Sequence, residues 1–285
     1  ATTQHLRFMT LAVRLAAKGR GKTSPNPMVG ALVVRDGRIV GRGYHHGPGK
    51  PHAEILALNQ AGRRAKGATL YVTLEPCCHL LKRTPPCVPA IIRSGVRQVV
   101  VAMADPNRQV KGRGIVALRR AGIAVTTDVA QEKASQLNRW YSHWATTGLP
   151  YVILKAGMTL DGKIATAKGE SRWITGRPAR QDAHRLRSLV DAVVIGVGTV
   201  LNDNPTLTAR LSERPLKLAP RQPLRVVLDS CLRTPSTAKI CGMQDRARTL
   251  IATTSRASRL RRRAVERAGV EVVAISAKKG RVSFS

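Results

Sequence analysis

Two stretches decide the fold: His52-Ala53-Glu54, and Glu75-Pro76-Cys77-Cys78-His79 running on to Thr84-Pro85-Pro86-Cys87. One imidazole and two thiolates can hold a Zn²⁺ ion and leave its fourth position open for water. Glu54 follows the histidine closely and is therefore placed to handle the protons of that water. The combination predicts a catalytic zinc site. Two alternatives stay open, a structural zinc site and a helix-capping histidine beside buried free thiols.

The neighbouring elements are predicted to bring these stretches together. Residues 51–64 have the pattern of a helix with Pro51 just before its first turn, so His52 and Glu54 lie at its amino end. Residues two apart point to nearly opposite sides of a helix, so both can serve one metal only if it lies across the helix end. Ala68–Leu74 is typical of a buried strand that leads into Cys77, and Cys87 is predicted to begin the next helix.

The rest of the first half alternates strands and helices. The predicted elements are a helix over 4–18 with Leu6, Met9, Val13, Ala16 and Ala17 on one stripe, a hairpin of Val29–Val34 and Arg38–Gly43 turning at Asp36-Gly37, a strand over Val96–Met103, a helix over Gly112–Ala121 and a strand over Ile123–Thr127. His45 and His46, in the loop before Pro51, are interpreted as loop or substrate-contact residues. This order of elements predicts a three-layer α/β/α domain.

A second α/β domain is predicted after the turn at Thr147-Gly148-Leu149-Pro150, which places the domains at 1–147 and 148–285, with a connecting helix within 131–150. Its predicted elements are strands at Tyr151–Ala156, Ala192–Val197, Leu224–Leu228, Thr249–Ala252 and Val270–Ile275, and helices over 178–190 and 256–267. The proline-rich stretch Asn202–Gln222 is predicted to be irregular.

The charge of the chain is strongly positive. Lys and Arg number 49 against 16 Asp and Glu, which gives a formal net charge of +33. Such a chain attracts anions, among them nucleic acid, phosphorylated metabolites and acidic lipid. The basic residues are spread along the sequence, with a dense run at Arg256, Arg259, Arg261, Arg262 and Arg263. That run is interpreted as a solvated helix face, with nucleic-acid contact as the alternative.

The cysteines and the hydropathy pattern indicate a compartment. Three of the five cysteines cluster at positions 77, 78 and 87, which favours metal binding in a reducing environment over a disulfide framework. Cys231 and Cys241 stand apart and are interpreted as small apolar residues. No apolar run reaches the roughly 18 residues that a membrane span needs, and Ala1–Phe8 lacks a signal-peptide core. We therefore predict a cytoplasmic protein without a membrane partner.

Taken together, the motifs resemble those of the bifunctional deaminase–reductases of riboflavin biosynthesis. The matching stretches of the first half are Pro25-Asn26-Pro27-Met28-Val29-Gly30, Pro51-His52-Ala53-Glu54, Thr73-Leu74-Glu75-Pro76-Cys77, Arg83-Thr84-Pro85-Pro86-Cys87 and Ala104-Asp105-Pro106-Asn107. Those of the second half are Leu160-Asp161-Gly162-Lys163-Ile164-Ala165, Ser171-Arg172-Trp173-Ile174-Thr175 and Gly196-Val197-Gly198-Thr199-Val200. The resemblance covers nearly the whole chain, and the His-x-Glu and Pro-Cys elements also match the zinc-dependent nucleobase deaminases.

The resemblance implies an α/β fold and two consecutive reactions. A cytidine-deaminase-like domain would remove an amine hydrolytically from the small molecule 2,5-diamino-6-ribosylamino-4(3H)-pyrimidinone 5′-phosphate. A dihydrofolate-reductase-like domain would then reduce the ribosyl chain to ribityl with NADPH. The family's second domain continues with a further strand and a glycine-rich loop, so the reductase domain is expected to be incomplete and to reduce poorly. A homo-oligomer is left open.

Residue by residue, the resemblance assigns roles to matched positions. His52, Cys77 and Cys87 would bind Zn²⁺, and Glu54 would carry protons. The matched cofactor contacts are Gly157, Trp173, Thr199, Asp203 and Ser230. The matched substrate contacts are Asn26, Ser171, Arg187, Leu207 and Arg210. Guanidinium groups at Arg187 and Arg210 suit a phosphate, although both have the alternative interpretation of ordinary surface arginines.

The chain departs from the family pattern near the second zinc-binding cysteine. The family encloses eight residues between its cysteines, whereas Cys77 to Cys87 encloses nine and Cys78 to Cys87 encloses eight. We predict Cys77 as the ligand because the preceding strand fixes its position, whereas the extra residue is easily absorbed within 79–83. In the same region Leu81-Lys82 replaces a glycine, and Arg108 replaces a proline farther on.

Two other functions remain as alternatives. A nucleic-acid base deaminase of the tRNA-editing kind would explain the +33 charge, but the long cysteine spacing and the motifs of the second half disfavour it. A basic RNA-binding protein on a degenerate enzyme scaffold would not need His52, Glu54 and the cysteines together. Non-specific binding of nucleic acid is compatible with every one of these functions.

Overall fold

The computed structural model describes residues 2–78, 84–171, 173–211 and 221–283. The chain divides into two compact units, Ala1–Leu154 and Lys155–Ser285, each with its own sheet. The domain boundary between residues 147 and 148 stays a prediction. It lies shortly before this division, where Gly148 ends a helix in the left-handed conformation (φ 72°).

The first unit is built on a five-stranded sheet in the order β2-β1-β3-β4-β5. Its strands are β1 (Gly30–Arg35), β2 (Arg38–Tyr44), β3 (Thr69–Val72), β4 (Gln98–Val101) and β5 (Ala124–Thr126). Its helices are α1 (Thr3–Ala16), α2 (Ala53–Ala61), α3 (Cys87–Arg93), α4 (Arg113–Arg120), α5 (Gln131–Leu137) and α6 (Arg139–Thr147). β1 runs antiparallel to β2 and β3, whereas β3, β4 and β5 are parallel. Asp36 and Gly37, both at positive φ, form the predicted hairpin turn.

Alternating strand residues supply the two apolar cores of this unit. Val33, Leu70 and Val99 point to the face covered by α2, α3 and α4. Their neighbours Leu32 and Tyr71 point to the other face, where α1 and α5 pack. Helices therefore cover both sides of the sheet, and the predicted three-layer α/β/α domain is confirmed.

Glycines let helix α2 lie unusually close to the sheet. A β-carbon added at Gly41 would stand 2.1 Å from Ala57 O, and one at Gly43 would stand 2.3 Å from Ala53 O. Such distances are impossible for real side chains, so α2 packs directly on the backbone of β2. This contact fixes the distance between the sheet and the amino end of α2, where His52 is the N-cap residue.

The second unit contains a parallel sheet of four strands in the order β6-β7-β8-β9. Its strands are β6 (Ala192–Gly196), β7 (Leu224–Leu228), β8 (Thr249–Thr253) and β9 (Glu271–Ala274), and a small antiparallel ribbon pairs β10 (Ala277–Lys278) with β11 (Arg281–Val282). Its helices are α7 (Arg177–Arg187), α8 (Val197–Asp203) and α9 (Arg259–Arg267). Val200, Val227, Ile251 and Val265 belong to one apolar core. The predicted α/β character of this half is confirmed.

The strand predicted at Tyr151–Ala156 is wrong. The segment has no regular structure, and the side chains of Val152 and Leu154 are 81% and 94% exposed. Its apolar residues favour a strand by composition, but a strand also needs a hydrogen-bonded neighbour. No ladder within the described ranges includes these residues.

Three smaller predictions also need correction. The buried stripe of α1 contains Phe8 and Ala12, whereas Leu6 is 47% exposed, because the helix turns slightly away from the predicted face. The connecting segment forms two helices, α5 and α6, separated at Asn138, whose amide bonds to a distant loop. The sequence patterns also missed α8 and the β10–β11 ribbon, which are both short. None of the described helices is long and apolar enough to cross a bilayer.

Candidate metal centre and anion site

Three side chains of the first unit converge at the carboxyl end of β3. His52 caps α2, Cys77 follows β3 closely, and Cys87 is the first residue of α3. His52 Nδ1 lies 3.5 Å from Cys77 Sγ and 3.2 Å from Cys87 Sγ, and the three ligand atoms all lie within 4.8 Å of one another. Around a tetrahedral zinc ion, a nitrogen and a sulfur ligand stand roughly 3.5 Å apart. The cluster therefore fits Zn²⁺.

Thr84 orients the imidazole of His52. Its Oγ1 lies 3.0 Å from His52 Nε2, on the side of the ring away from the sulfurs. If Nε2 carries the hydrogen and donates to this hydroxyl, Nδ1 keeps its lone pair for a metal. The sequence showed Thr84 only as part of a motif. Its contact with His52 depends on the turn that leads into α3.

Glu54 lies beside the cluster in the first turn of α2, with a side chain only 3% exposed. Burial raises the pKa of its carboxyl group above the ordinary value, and the nearby Cys77 raises it further. Its Oε2 is buried and has no hydrogen-bond partner among the described residues. An orphaned carboxylate oxygen next to three metal-ligating atoms is the arrangement that a proton-transferring group needs.

Cys78 lies outside this cluster, although its spacing to Cys87 matches the family. The metal-ligating group found in the described part of the chain contains Cys77 and not Cys78. Burial raises the pKa of the Cys78 thiol, with Glu75 and Cys77 adding to the rise, so its thiolate form is disfavoured. Cys77 also accepts a hydrogen bond from Cys87 N at 3.3 Å. The predicted adjustment within 79–83 lies outside the described residues, as do Leu81 and Lys82.

Asn26 lies close to the cluster through His45. Its Nδ2 lies 3.0 Å from Nε2 of the buried His45, whose ring stands edge-on to His52 at 5.5 Å between centroids. Asn138 holds the same loop: Met28 N donates to its Oδ1 at 2.8 Å, and its Nδ2 donates to Met28 O at 2.9 Å. The sequence analysis missed Asn138, because nothing near it in the sequence points to this contact.

Glu75 organises the wall beside Cys77. Its Oε2 accepts from Asp105 N (3.2 Å) and Gly112 N (2.9 Å), and its Oε1 accepts from Gly114 N (2.9 Å) and Ile115 N (3.2 Å). One buried carboxylate thus satisfies four main-chain donors, three around the start of α4 and one in the loop after β4. The Asp105 loop, which belongs to a matched motif, is held against the strand end that leads into Cys77.

In the second unit, Arg187 and Arg210 lie close together around His184. Arg187 Nη1 donates to Thr208 O at 2.9 Å and lies 3.2 Å from His184 Nδ1. Arg210 Nη1 donates to Thr206 Oγ1 at 2.6 Å, and its Nη2 lies 3.4 Å from His184 Nε2. Burial and the two guanidinium groups lower the pKa of His184. Cations held this close together form a site suited to an anion.

Trp173 and Arg210, predicted to contact cofactor and substrate respectively, line one cavity of about 290 Å³. The other residues of its lining are Arg177, Arg180, Gln181 and His184. The Arg180 guanidinium lies 4.3 Å from the centroid of the Trp173 ring, a cation–π contact. The cavity is therefore cationic with one aromatic wall, although Trp173 is 73% exposed.

The other predicted contacts of the second unit are more scattered. Ser171 Oγ lies 3.5 Å from Asp203 Oδ1, and Thr199 lies on the same short helix, α8. Gly157 lies near Thr175, and Leu207 is buried at the start of the arginine-bearing segment. Ser230 follows β7, where its Oγ accepts from Val282 N at 3.0 Å. None of these six predicted contacts belongs to the lining of the cavity.

Each half of the chain matches the model of a known protein family. Residues 2–103 match the cytidine and deoxycytidylate deaminase zinc-binding region, and residues 150–283 match the RibD C-terminal domain. The predicted cytidine-deaminase-like first domain is therefore confirmed, and the second domain is of the RibD reductase type. A zinc-binding first domain follows from the first of these matches.

Known relatives resemble the chain over most of its length. The riboflavin biosynthesis protein RibD of Aquifex aeolicus is 51% identical over 238 residues, which cover 84% of this chain and 65% of that protein. The chain thus spans slightly less than two thirds of that relative. The structure of Acinetobacter baumannii RibD is 41% identical with a TM-score of 0.85, covering 97% of this chain and 75% of that one.

A Thermotoga maritima structure, described as a diaminohydroxyphosphoribosylaminopyrimidine deaminase and 5-amino-6-(5-phosphoribosylamino)uracil reductase, is 40% identical with a TM-score of 0.82. It covers 96% of this chain and 74% of that one. These matches do not favour the nucleic-acid deaminase alternative. On sequence identity, domain content and fold, the chain belongs to the RibD family of riboflavin biosynthesis proteins.

Proposed function

We propose that the chain catalyses two consecutive steps of riboflavin biosynthesis. The first is the hydrolytic deamination of 2,5-diamino-6-ribosylamino-4(3H)-pyrimidinone 5′-phosphate in the zinc-dependent domain. The second is the NADPH-dependent reduction of the ribosyl chain to ribityl. The observation that carries the proposal is the cluster of His52, Cys77 and Cys87 beside Glu54, whose buried Oε2 has no hydrogen-bond partner among the described residues. The Thermotoga maritima relative is described as a deaminase and reductase of the same two kinds.

In the proposed metal centre, His52, Cys77 and Cys87 hold Zn²⁺. When bound, the ion lowers the pKa of a coordinated water toward ~7. Glu54 would accept a proton from the attacking water and deliver it to the ring nitrogen, and would then carry the remaining hydroxyl proton to the amine, which departs as ammonia. Its raised pKa suits this exchange, because a carboxyl group that holds a proton more readily than an ordinary glutamate can accept a proton as base and pass it on as acid. Asn26, positioned by His45, is proposed to contact the pyrimidine.

In the proposed reductase site, Arg187 and Arg210 bind the substrate phosphate, with Ser171 and Leu207 as further substrate contacts. The support is the closeness of the two guanidinium groups to each other around His184. Gly157, Trp173, Thr199, Asp203 and Ser230 are proposed cofactor contacts, and NADPH is the proposed cofactor. Trp173 and Arg210 line the same cavity, so an aromatic ring of the cofactor and the substrate phosphate would bind next to each other there.

An assay of both half-reactions on the purified chain, with zinc content measured alongside, tests this function. We expect one zinc per chain and release of ammonia from the diaminopyrimidine substrate. The reduction is followed separately, by NADPH oxidation with the deaminated intermediate. Ammonia release without bound zinc, or zinc without ammonia release, would contradict the proposed metal-dependent deamination.

The charge of the chain requires a separate measurement. Binding of a single-stranded RNA is titrated with salt, because each phosphate contact steepens the fall of affinity with ionic strength. If the affinity for the RNA falls steeply with salt and the RNA bases stay unchanged, the binding is non-specific attraction by the +33 charge. Deamination of the RNA would instead restore the nucleic-acid deaminase as a candidate.

A further inference from the structure

An arginine occupies a position in the second sheet where the strand pattern calls for an apolar side chain. In β7, the side chains of Arg225 and Val227 are fully buried and alternate with partly exposed neighbours. Val227 packs into the apolar core, so Arg225 points to the same face of the sheet. Burial lowers the pKa of the Arg225 guanidinium, because its charged form is disfavoured away from water. Its contacts must offset that penalty.

Three main-chain carbonyl oxygens accept hydrogen bonds from this guanidinium. Nη1 donates to Thr206 O at 3.1 Å, and Nη2 donates to Met243 O at 3.3 Å and to Ala247 O at closer range. Its Nε is buried and has no partner among the residues that the structure describes. The side chain thus joins β7 to two other parts of the chain, the segment at Thr206 and the turn that contains Met243 and Ala247, through main-chain oxygens alone.

Packing does not require a charge at this position. An aliphatic side chain of similar volume would avoid the desolvation penalty, and such replacements of buried ionic groups are often neutral or stabilising. An aliphatic side chain would, however, lose the link between these segments. Met243 and Ala247 lie in the turn before β8, whereas Thr206 lies 19 residues before Arg225. The link to Thr206 is the one that reaches the anion site.

Thr206 begins the segment that holds the arginine pair. Its Oγ1 accepts from Arg210, and the next threonine, Thr208, accepts from Arg187 through its main-chain oxygen. Leu207 between them has a φ of 52°, a left-handed conformation that is unfavourable for a residue with a β-carbon. Such a conformation persists only where neighbouring contacts impose it.

The segment is held at both ends. Arg225 binds the main-chain oxygen of Thr206, and Gln222 bonds to Ala209 through two hydrogen bonds of 2.8 and 3.0 Å. The Gln222 contact is made at Ala209, on one side of the left-handed residue; on the other side the Leu207 side chain packs into the apolar core and the main chain is held at Thr206. Arg225 supplies the restraint at Thr206. It thereby positions the oxygens of Thr206 and Thr208 that accept hydrogen bonds from Arg210 and Arg187.

We propose that Arg225 is a positioning residue for the phosphate site formed by Arg187 and Arg210. It acts through Thr206 O, by fixing the left-handed segment whose threonines orient both guanidinium groups. The inference rests on the proposed function, which assigns this arginine pair to the substrate phosphate.

The first test measures binding of D-ribose 5-phosphate to the full 285-residue chain by calorimetry. Arg225→Met should raise the dissociation constant about tenfold, which corresponds to about 1.4 kcal/mol. Arg225→Lys should restore part of the affinity, since an ammonium group also donates to carbonyl oxygens. Val227→Ala is the matched control: it removes buried volume from the same face of the same strand without touching Thr206. Each protein is measured at a temperature where it is fully folded.

The second test measures amide hydrogen exchange of residues 206–211 in the same proteins. We expect faster exchange in Arg225→Met and unchanged exchange in Val227→Ala. Equal affinity of the wild type and Arg225→Met overturns the inference, and so does equal weakening in Arg225→Met and Val227→Ala. If the wild type does not bind the sugar phosphate, the phosphate site of the proposed function fails. Exchange then decides whether Arg225 holds the segment, and unchanged exchange in Arg225→Met overturns that as well.

Discussion

The metal centre and the anion site are held in place in different ways. His52, Cys77 and Cys87 lie at or next to the ends of regular elements that the core of the first unit fixes. Arg210 lies in an irregular segment, whose backbone is tied to the sheet by the side chains of Arg225 and Gln222. The first site depends on where helices and strands end. The second depends on polar side chains elsewhere in the sequence, the buried Arg225 and the partly buried Gln222, so the two sites should respond differently to mutation.

Removal of a metal ligand should give the largest effect. Cys77→Ser should abolish zinc binding and deamination, because a hydroxyl replaces one of the three protein ligands that the geometry brings together. Cys78→Ser is the matched control and should keep a full complement of zinc. Zinc content and ammonia release are measured side by side on both variants. Loss of metal in the Cys78 variant with retention in the Cys77 variant would reverse the assignment.

Glu54→Gln should separate chemistry from metal binding. The amide keeps the size of the side chain but cannot exchange a proton, so we expect deamination to fall by roughly 10²–10⁴-fold. Zinc should stay bound, since Glu54 is not part of the His52, Cys77 and Cys87 cluster. The measurement is the deamination rate at saturating substrate, together with zinc content. Near wild-type turnover would refute the role of Glu54 as proton carrier.

Glu75→Gln tests how far the first site depends on a buried polar group. The amide nitrogen of glutamine would face main-chain donors where a carboxylate oxygen now accepts, which leaves two of the four N–H groups without an acceptor. We expect the free energy of unfolding to fall by about 1–3 kcal/mol. Urea denaturation measures it, with Glu132→Gln on the exposed face of α5 as control. Equal stability of the two variants would show that the four bonds contribute little.

The pH dependence of stability should show the smallest effect, in the second unit. The lowered pKa of His184 keeps its imidazole neutral in the folded protein at pH values where the unfolded chain, with a pKa of about 6.5, takes up a proton. Its contribution is therefore complete above about pH 6.5 and is lost as pH falls toward the lowered value. Urea midpoints at several pH values should fall less steeply on acidification in His184→Gln than in the wild type. Parallel curves would contradict this.

The sequence predicted the first site better than the second for a physical reason. His52, Glu54 and Cys87 lie at predicted helix ends, and helix ends and strand ends follow from local patterns. In the second unit β7 was predicted to the residue, yet the pattern could not show that Arg225 points inward and binds Thr206. Contacts between distant polar side chains have no local signature, which also hid Asn138 and its bonds to Met28.

The strand predicted at Tyr151–Ala156 failed for a related reason. The segment is apolar and rich in β-formers, and this preference for a strand is visible in the local sequence alone. Whether such a run becomes a strand depends on a partner edge, which is a property of the assembled sheet. The domain boundary at residue 147 and the roles assigned to individual site residues stay predictions, and the experiments above address the roles of Cys77 and Glu54.

The bonds between Met28 and Asn138 have a consequence for the order of assembly during synthesis. The two residues are 110 positions apart, whereas His52, Cys77 and Cys87 lie within a much shorter stretch between them. Chains emerge from the ribosome amino end first, and contacts distant in sequence close late. The metal-ligating residues can therefore meet while Asn138 is still to be translated. The loop that carries Asn26 receives its anchor last, so a nascent chain would be able to take up zinc before the proposed pyrimidine pocket is complete.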